Sequence, residues 1–364
     1  MNQNEYCTWF PGETAPVLIV SEPNIRYTVG FGTTARRPYQ IGYTAALLTP
    51  AERVLFCPKN WQEEAQAQVD PGVKVMAYQG GLRALVEGLL PLLQDRRLGV
   101  EVDDMPLAFY LLLREKLPTG LEWFDVSETL SRARLVKRPE ELEALRRAAA
   151  VACAAMEYAR EILRPGMTER QAVAALEYHM RKNGSDGVPY TIKVLAGEHA
   201  LRTHNLPGER RIERGDIVLL DIGARVDGYA SDWSRSFAIG QASEKQRELY
   251  RIVMEIERAC IAQMRPGTRL SDLLHLANSM LERHVFAPYF NPFLGHSIGI
   301  TSQERPTIVP GESFILEENM VFCVEPGIYV PGVGGVRIED EVRVTHEGPE
   351  LLTGLLQEEF LLID

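Results

Sequence analysis

The sequence predicts an α/β (α+β) protein of two domains, residues 1–135 and 136–364, on three observations. Between Ala15 and about Val126, short β-rich runs alternate with helical stretches. Near residue 135 the pattern gives way to one long amphipathic helix. Beyond it a plan repeats: Arg164-Pro165-Gly166 and Arg265-Pro266-Gly267 each lead into an amphipathic helix, and later into an apolar strand that closes on an acid. The larger domain is therefore expected to be two related α/β halves about a pseudo-twofold, with acids meeting between them.

Taken in order, the first domain offers strands at "VLIV", "RVLFC", "VKVMAY" and "LGVEV", and a helix from Pro106 to Leu117. The long helix begins at Pro139, where a missing N–H costs nothing. Leu142, Leu145, Ala149, Ala152, Met156, Ala159 and Leu163 fall at three-four spacing, so one face is buried. The first Arg-Pro-Gly helix starts with a Thr168/Gln171 capping box. The strand "DIVLLD" closes on Asp221, and "NMVFCVE" closes on Glu325. Each is followed by a second strand with another acid.

Composition limits the function. A chain of 364 residues can bury a sizeable core in two domains without disulfides or structural metal. The net charge of −11 argues against nucleic acid and against anionic membranes, both of which reward clustered Lys and Arg. Cys7, Cys57, Cys153, Cys260 and Cys323 are scattered, odd in number and free of C-x-x-C spacing, the pattern of reduced thiols in a cytoplasmic protein. No signal pattern opens the chain, and no apolar run approaches the ~20 residues that span a bilayer.

The segment "LLDIGARVDGYASDW" carries the first chemistry. A two-residue turn at Asp227-Gly228 pairs Val226 with Tyr229, Gly223 with Asp232 and Asp221 with Ser234. Asp221 and Asp232 are then diagonal neighbours on one face, about 7 Å apart at the backbone. Buried carboxylates this close must protonate unless cations lie between them. In the other half, Glu325 precedes a Gly/Pro-rich reversal, and Arg337, Glu339 and Glu341 alternate on the returning strand. Register cannot be counted through "PGVGG", so either Glu339 or Glu341 can face Glu325. His296 in "LGHSIGI" supplies an imidazole, flanked by glycines that permit close backbone approach.

In this order the residues resemble the peptidase family of Xaa-Pro dipeptidase (prolidase), aminopeptidase P, methionine aminopeptidase and creatinase, known for the pita-bread fold. The likeness runs from about Val136 to Asp364 and rests on "DIG…GYASDWSRSF", "GHSIGI" and "VEPGIYVPGVGGVRIEDEVRVT". "EPNIRYTVGF" resembles the creatinase-type N-terminal domain, which places the chain with prolidase and aminopeptidase P.

The resemblance implies two divalent metal ions held by Asp221, Asp232, His296, Glu325 and Glu339, and it selects Glu339 over Glu341. Such an oxygen-rich set suits Mn²⁺, Co²⁺, Fe²⁺ or Zn²⁺, with Mn²⁺ foremost. The implied reaction is hydrolysis of the peptide bond before proline by a metal-bridged hydroxide, with Glu325 shuttling the proton and His204 at the developing oxyanion. His199 is the competing loop histidine. Arg337 either orients the Glu339 carboxylate or clamps a substrate carboxylate. The implied setting is a cytoplasmic homodimer acting on small peptides.

Two positions depart from the pattern. Gln303 stands where prolidases and aminopeptidases P carry a second histidine, and an amide cannot become cationic or pass a proton. Tyr190 occupies an aromatic pocket position, but Lys193 replaces an aliphatic pocket residue and is expected to turn its head to solvent. The alternative function these changes admit is a hydrolase or lyase of the same fold acting on a non-peptide small molecule, as creatinase does. A metal-free binding module of this fold would require lost ligands, and none is lost.

Overall fold

The computed structural model of the protein describes residues 3–32, 43–354, 360 and 362–363. The chain divides into two units, Met1–Arg134 and Leu135–Asp364.

The first unit is built on one mixed sheet. Its strands are β1 (Val17–Ile19), β2 (Ala45–Leu48), β3 (Arg53–Pro58), β4 (Val73–Tyr78), β5 (Arg97–Val100) and β6 (Glu122–Asp125), in the order β4-β3-β2-β1-β5-β6. The β1/β2 and β2/β3 pairs are antiparallel; the outer pairs and β1/β5 are parallel. Every residue of β1, β2 and β3 is buried, as strands covered on both faces must be. Leu18, Leu47 and Phe56 pack with Leu85, Phe109 and Leu113 of the helices Gly81–Leu89 and Leu107–Lys116.

The second unit consists of two halves, each with a pair of helices on an antiparallel-rich sheet. The first sheet contains β7 (Lys193–Ala196), β8 (Ile217–Ile222), β11 (Trp233–Ile239) and β19 (Leu362–Ile363), in the order β19-β11-β8-β7. Two short strands, β9 (Arg225–Val226) and β10 (Tyr229–Ala230), form the hairpin tip that extends from β8 and β11. The second sheet contains β12 (Gly295–Ser297), β13 (Glu304–Ile308), β14 (Val321–Val324), β17 (Asp340–Arg343) and β18 (Glu350–Leu351), in the order β13-β12-β14-β17-β18. Between β14 and β17 the chain forms the hairpin β15 (Gly327–Val330) and β16 (Gly334–Arg337).

The long helix is Pro139–Ile162, and Leu142, Leu145, Ala149, Ala152, Met156 and Ala159 are all buried on it, as their spacing predicts. It packs with helix Glu169–Lys182 against the first sheet through Ala152, Met156, Leu176, Val194, Leu220 and Trp233. Helices Glu244–Ala262 and Leu270–Leu281 do the same for the second sheet through Val253, Ile256, Leu273, Phe322 and Val342.

The repeated plan is structural. The N–H groups of Gly166, Glu169 and Arg170 donate to the carbonyls of Ile212, Arg210 and Gly208. In the other half those of Gly267, Leu270 and Ser271 donate, in the same pattern, to Leu316, Phe314 and Glu312. Both glycines have positive φ, 86° and 94°, which a side chain rarely tolerates. Arg-Pro-Gly therefore marks the same reversal twice: a turn that clips a helix start onto the chain entering the sheet. One difference is the cap. Thr168 and Gln171 close the predicted capping box, whereas Arg269 makes no side-chain cap.

Candidate metal centre

The hairpin register follows from the turn. Asp227 and Gly228 have φ of 49° and 81°, the pair of positive values that a two-residue turn of this kind needs. Val226 pairs with Tyr229, and on the same count Ser234 pairs with Asp221. Gly223 leaves space for the Ser231 carbonyl, which would lie 2.1 Å from an added Cβ. Asp221 and Asp232 thus share a face and are nearly buried, at 5% and 6% exposure.

The second half settles what the sequence left open. Val324 pairs with Asp340 and Gly327 with Arg337, so an unbroken register sets Glu325 opposite Glu339. Glu339 also bridges to the first half. Its N–H donates to the Ser234 carbonyl, and its Oε2 accepts from Ser234 Oγ at 2.5 Å. Glu341 instead accepts the backbone N–H of Asp232 at 2.9 Å. His296 stands on β12 across from Cys323. The preceding Gly295 is required, since a Cβ there would lie 2.0 Å from the Cys323 carbonyl.

These elements bring three acids around one imidazole. His296 Nε2 lies 3.3 Å from Glu325 Oε1, 3.8 Å from Asp232 Oδ2 and 3.9 Å from Glu339 Oε1. His296 Nδ1 faces the Ser297 carbonyl at 3.1 Å, which directs Nε2 at the acids. Glu325 Oε1 and Glu339 Oε1 are buried without a hydrogen-bond partner among the described residues, the 3.3 Å contact being an ion pair rather than an aligned bond. Orphaned carboxylate oxygens around a nitrogen fit a divalent transition metal, because only a cation in their midst repays their desolvation. Cys323 Sγ stands near His296 and Glu339. Burial pushes its thiol well up, so it keeps its proton and donates to the Asp232 carbonyl.

The electrostatics divide the site in two. Burial lowers the His296 imidazole, but Glu325, then Asp232 and Glu339, more than offset this and raise it to about 10. Burial raises Glu339 to about 8, with the charge of Glu325 adding to it. Asp232 is pushed up by burial and by the Glu339 and Asp221 charges. Asp221 goes the other way: burial raises it, yet Arg337 and Lys193 together hold its carboxyl below the usual range.

Arg337 and Lys193 account for that end. Arg337 Nη2 donates to Asp221 Oδ2 and Arg337 Nε to Ser234 Oγ at 2.9 Å, while Glu339 Oε2 is 4.0 Å away. The expectation that Lys193 turns to solvent is wrong. Lys193 pairs with Asp221 across β7 and β8, and its Nζ donates to Asp221 Oδ2 at 2.8 Å. Directly paired residues share a face, and a four-carbon stem spans that gap easily.

A cavity of about 1000 Å³ opens over the cluster. Tyr190, His204, Gln303, Phe293 and Tyr329 line it together with the five predicted ligands. Tyr190 donates its phenol to Asp232 Oδ1. His204 follows the 3₁₀ turn Gly197–Leu201 and is exposed at the cavity wall, as is Gln303. His199 lies apart from the cavity lining, with Nδ1 3.1 Å from the buried Glu169. The sequence named Ser234 and Glu341 without their roles, the bond to Glu339 and the hold on the Asp232 N–H, and it missed the reach of Lys193. The signal for Ser234 was present, since the hairpin count already set it opposite Asp221.

Fold and site together define a class: a two-unit α/β protein of pita-bread plan whose larger unit converges acids and an imidazole from both halves. Residues 143–346 match metallopeptidase family M24, and residues 14–136 match the creatinase/prolidase N-terminal domain. The chain belongs to metallopeptidase family M24. It is 31% identical over 337 residues to a Pyrococcus horikoshii Xaa-Pro dipeptidase, covering 93% of this chain and 92% of that one. It is 38% identical over 256 residues, 70% of each chain, to the Bacillus subtilis protein YkvY. Among solved structures, an Xaa-Pro dipeptidase from Bacillus anthracis superposes with a TM-score of 0.89 at 29% identity, over 99% of both chains. Among the described residues no helix is long and apolar enough to cross a membrane.

Proposed function

We propose that the protein hydrolyses the peptide bond before proline in dipeptides or short peptides, with two divalent metal ions, Mn²⁺ foremost, held by Asp221, Asp232, His296, Glu325 and Glu339. The observation that carries this reading is the convergence of three carboxylates on His296 Nε2, two of them with orphaned oxygens. The substrate class is supported by the relatives, whose names include Xaa-Pro dipeptidase and prolidase. The homodimer is taken over from the family resemblance, and the cytoplasmic setting rests on the scattered, odd-numbered cysteines.

When bound, the ions supply a nucleophilic water near neutral pH and polarise the scissile carbonyl. The chain's own residues do the rest. Glu325 is more open than the other acids near His296, with its side chain 12% exposed against 9% for Asp232 and 2% for Glu339. It takes the water's proton and passes it to the leaving nitrogen in this reading, the role that the family resemblance implies. His204, on the cavity wall, donates to the oxygen that gains charge. Tyr190 and the Glu341 contact fix Asp232, and Ser234 fixes Glu339, so the ligand oxygens keep their direction.

Asp232→Ala tests the assignment. The variant is expected to lose bound metal by elemental analysis and activity with it, while its far-UV spectrum is unchanged. An Asp232→Ala protein that retains full metal content removes Asp232 from the ligand set.

A further inference from the structure

All five proposed ligands face one cavity, but their cations are distributed unevenly. At the His296 end, Glu325 Oε1 and Glu339 Oε1 have no hydrogen-bond partner among the described residues. At the other end a single oxygen, Asp221 Oδ2, accepts from both Lys193 Nζ and Arg337 Nη2. The two basic groups are held differently. Arg337 is 5% exposed, and its Nε is committed to Ser234 Oγ at 2.9 Å. Lys193 has its side chain 21% exposed, makes its ion pair among the described residues with Asp221, and lines the cavity. An ammonium on a flexible stem can leave such a contact for open solvent; a guanidinium clamped at two points cannot.

We propose that Lys193 is a displaceable counter-ion that occupies the Asp221 end of the metal cluster and thereby weakens entry of the divalent ion that Asp221 would hold. This rests on the metallopeptidase reading and deepens it. The first ion enters among His296, Glu325, Glu339 and Asp232, where orphaned oxygens await it. The second ion needs Asp221, and to reach it must expel the ammonium from Oδ2. Until then a positive charge at van der Waals range opposes its entry. The fully loaded enzyme therefore forms only at elevated metal concentration. Lys193 sets that concentration without touching the reacting bond, which makes it a positioning residue for the metal.

The test is metal binding to the full chain, stripped by chelation and titrated calorimetrically with Mn²⁺, with retained metal counted after gel filtration. Wild type is expected to bind one ion tightly and a second at least about 100-fold more weakly. Lys193→Met keeps the length and removes the charge. It should tighten the second site about tenfold or more, leave the first unchanged, and retain two ions through gel filtration. Lys193→Arg keeps a cation and should behave as wild type. Two equally tight ions in wild type overturn the inference while leaving the metallopeptidase reading intact. So does an unchanged second site in Lys193→Met. Should Lys193→Met not fold, Lys193→Gln, which also removes the charge, takes its place in the same titration and is judged by the same outcomes. A stripped and refilled wild type that binds no ion overturns the reading and the inference together.

Discussion

Tyr190 holds Asp232: its phenol donates to Asp232 Oδ1 from the segment just before β7, while Glu341 accepts the Asp232 backbone N–H from the other half of the unit. Asp232 is thereby fixed from both sides of the pseudo-twofold. Tyr190→Phe removes one of these two anchors and leaves the ring's packing intact. Metal affinity, measured by titration of stripped protein, is expected to fall roughly 10-fold or more, with little change in thermal stability. An unchanged affinity would show that Asp232 needs no such anchor.

His204 lies on the wall of the cavity that the His296 cluster also lines. If it bonds the oxygen that gains charge, His204→Ala lowers kcat on the order of 10²-fold and leaves metal content as it was. Metal lost from that variant would make His204 a ligand instead.

Gln303 is exposed at the same cavity, where prolidases carry a histidine. Its amide can orient a scissile peptide but adds less charge stabilisation than an imidazole. Gln303→His is expected to raise kcat/KM on Xaa-Pro peptides about ten-fold, or about 1.4 kcal/mol. No gain on any Xaa-Pro peptide would indicate a pocket rebuilt around another ligand.

The parts of this site that could be read in the sequence are those fixed by local chemistry. Asp227-Gly228 sets a two-residue turn, and the turn alone sets which face Asp221 and Asp232 share. Gly295 announced a close backbone approach beside His296. The choice between Glu339 and Glu341 could not be read, because the loop from Pro331 hides the register that β15 and β16 later reveal. Lys193 was misjudged for a related reason: β7 and β8 are separated by a long loop, so nothing local says that Lys193 pairs with Asp221. In the first unit the strands Ala45–Leu48 and Glu122–Asp125 escaped notice. Neither shows β-branched residues, and each exists through its pairing with neighbours.

Glu257, on helix Glu244–Ala262, gives a pH dependence of stability. Burial raises its carboxyl well above the usual range, and the charge and hydrogen bond of Asp340 add to this. The folded value exceeds the unfolded one, so the stability it contributes is complete below the ordinary glutamate value of 4.5 and is lost as pH rises toward the folded value. Glu257→Gln keeps the neutral shape and cannot ionise. Its melting temperature relative to wild type should therefore climb as pH rises above 4.5, by no more than about 1.4 kcal/mol of stability per pH unit. A difference that stays flat across that range would mean that Glu257 is ionised in the fold.

The most direct test of the account is release of free proline from a panel of Xaa-Pro dipeptides by one preparation in two states, stripped by chelation and refilled with Mn²⁺, with metal content measured in both. The refilled protein is expected to release proline and the stripped protein none, with activity returning on each refilling. Full turnover by a sample shown to be metal-free would contradict the account, as would no release from any Xaa-Pro dipeptide by protein shown to carry its metal.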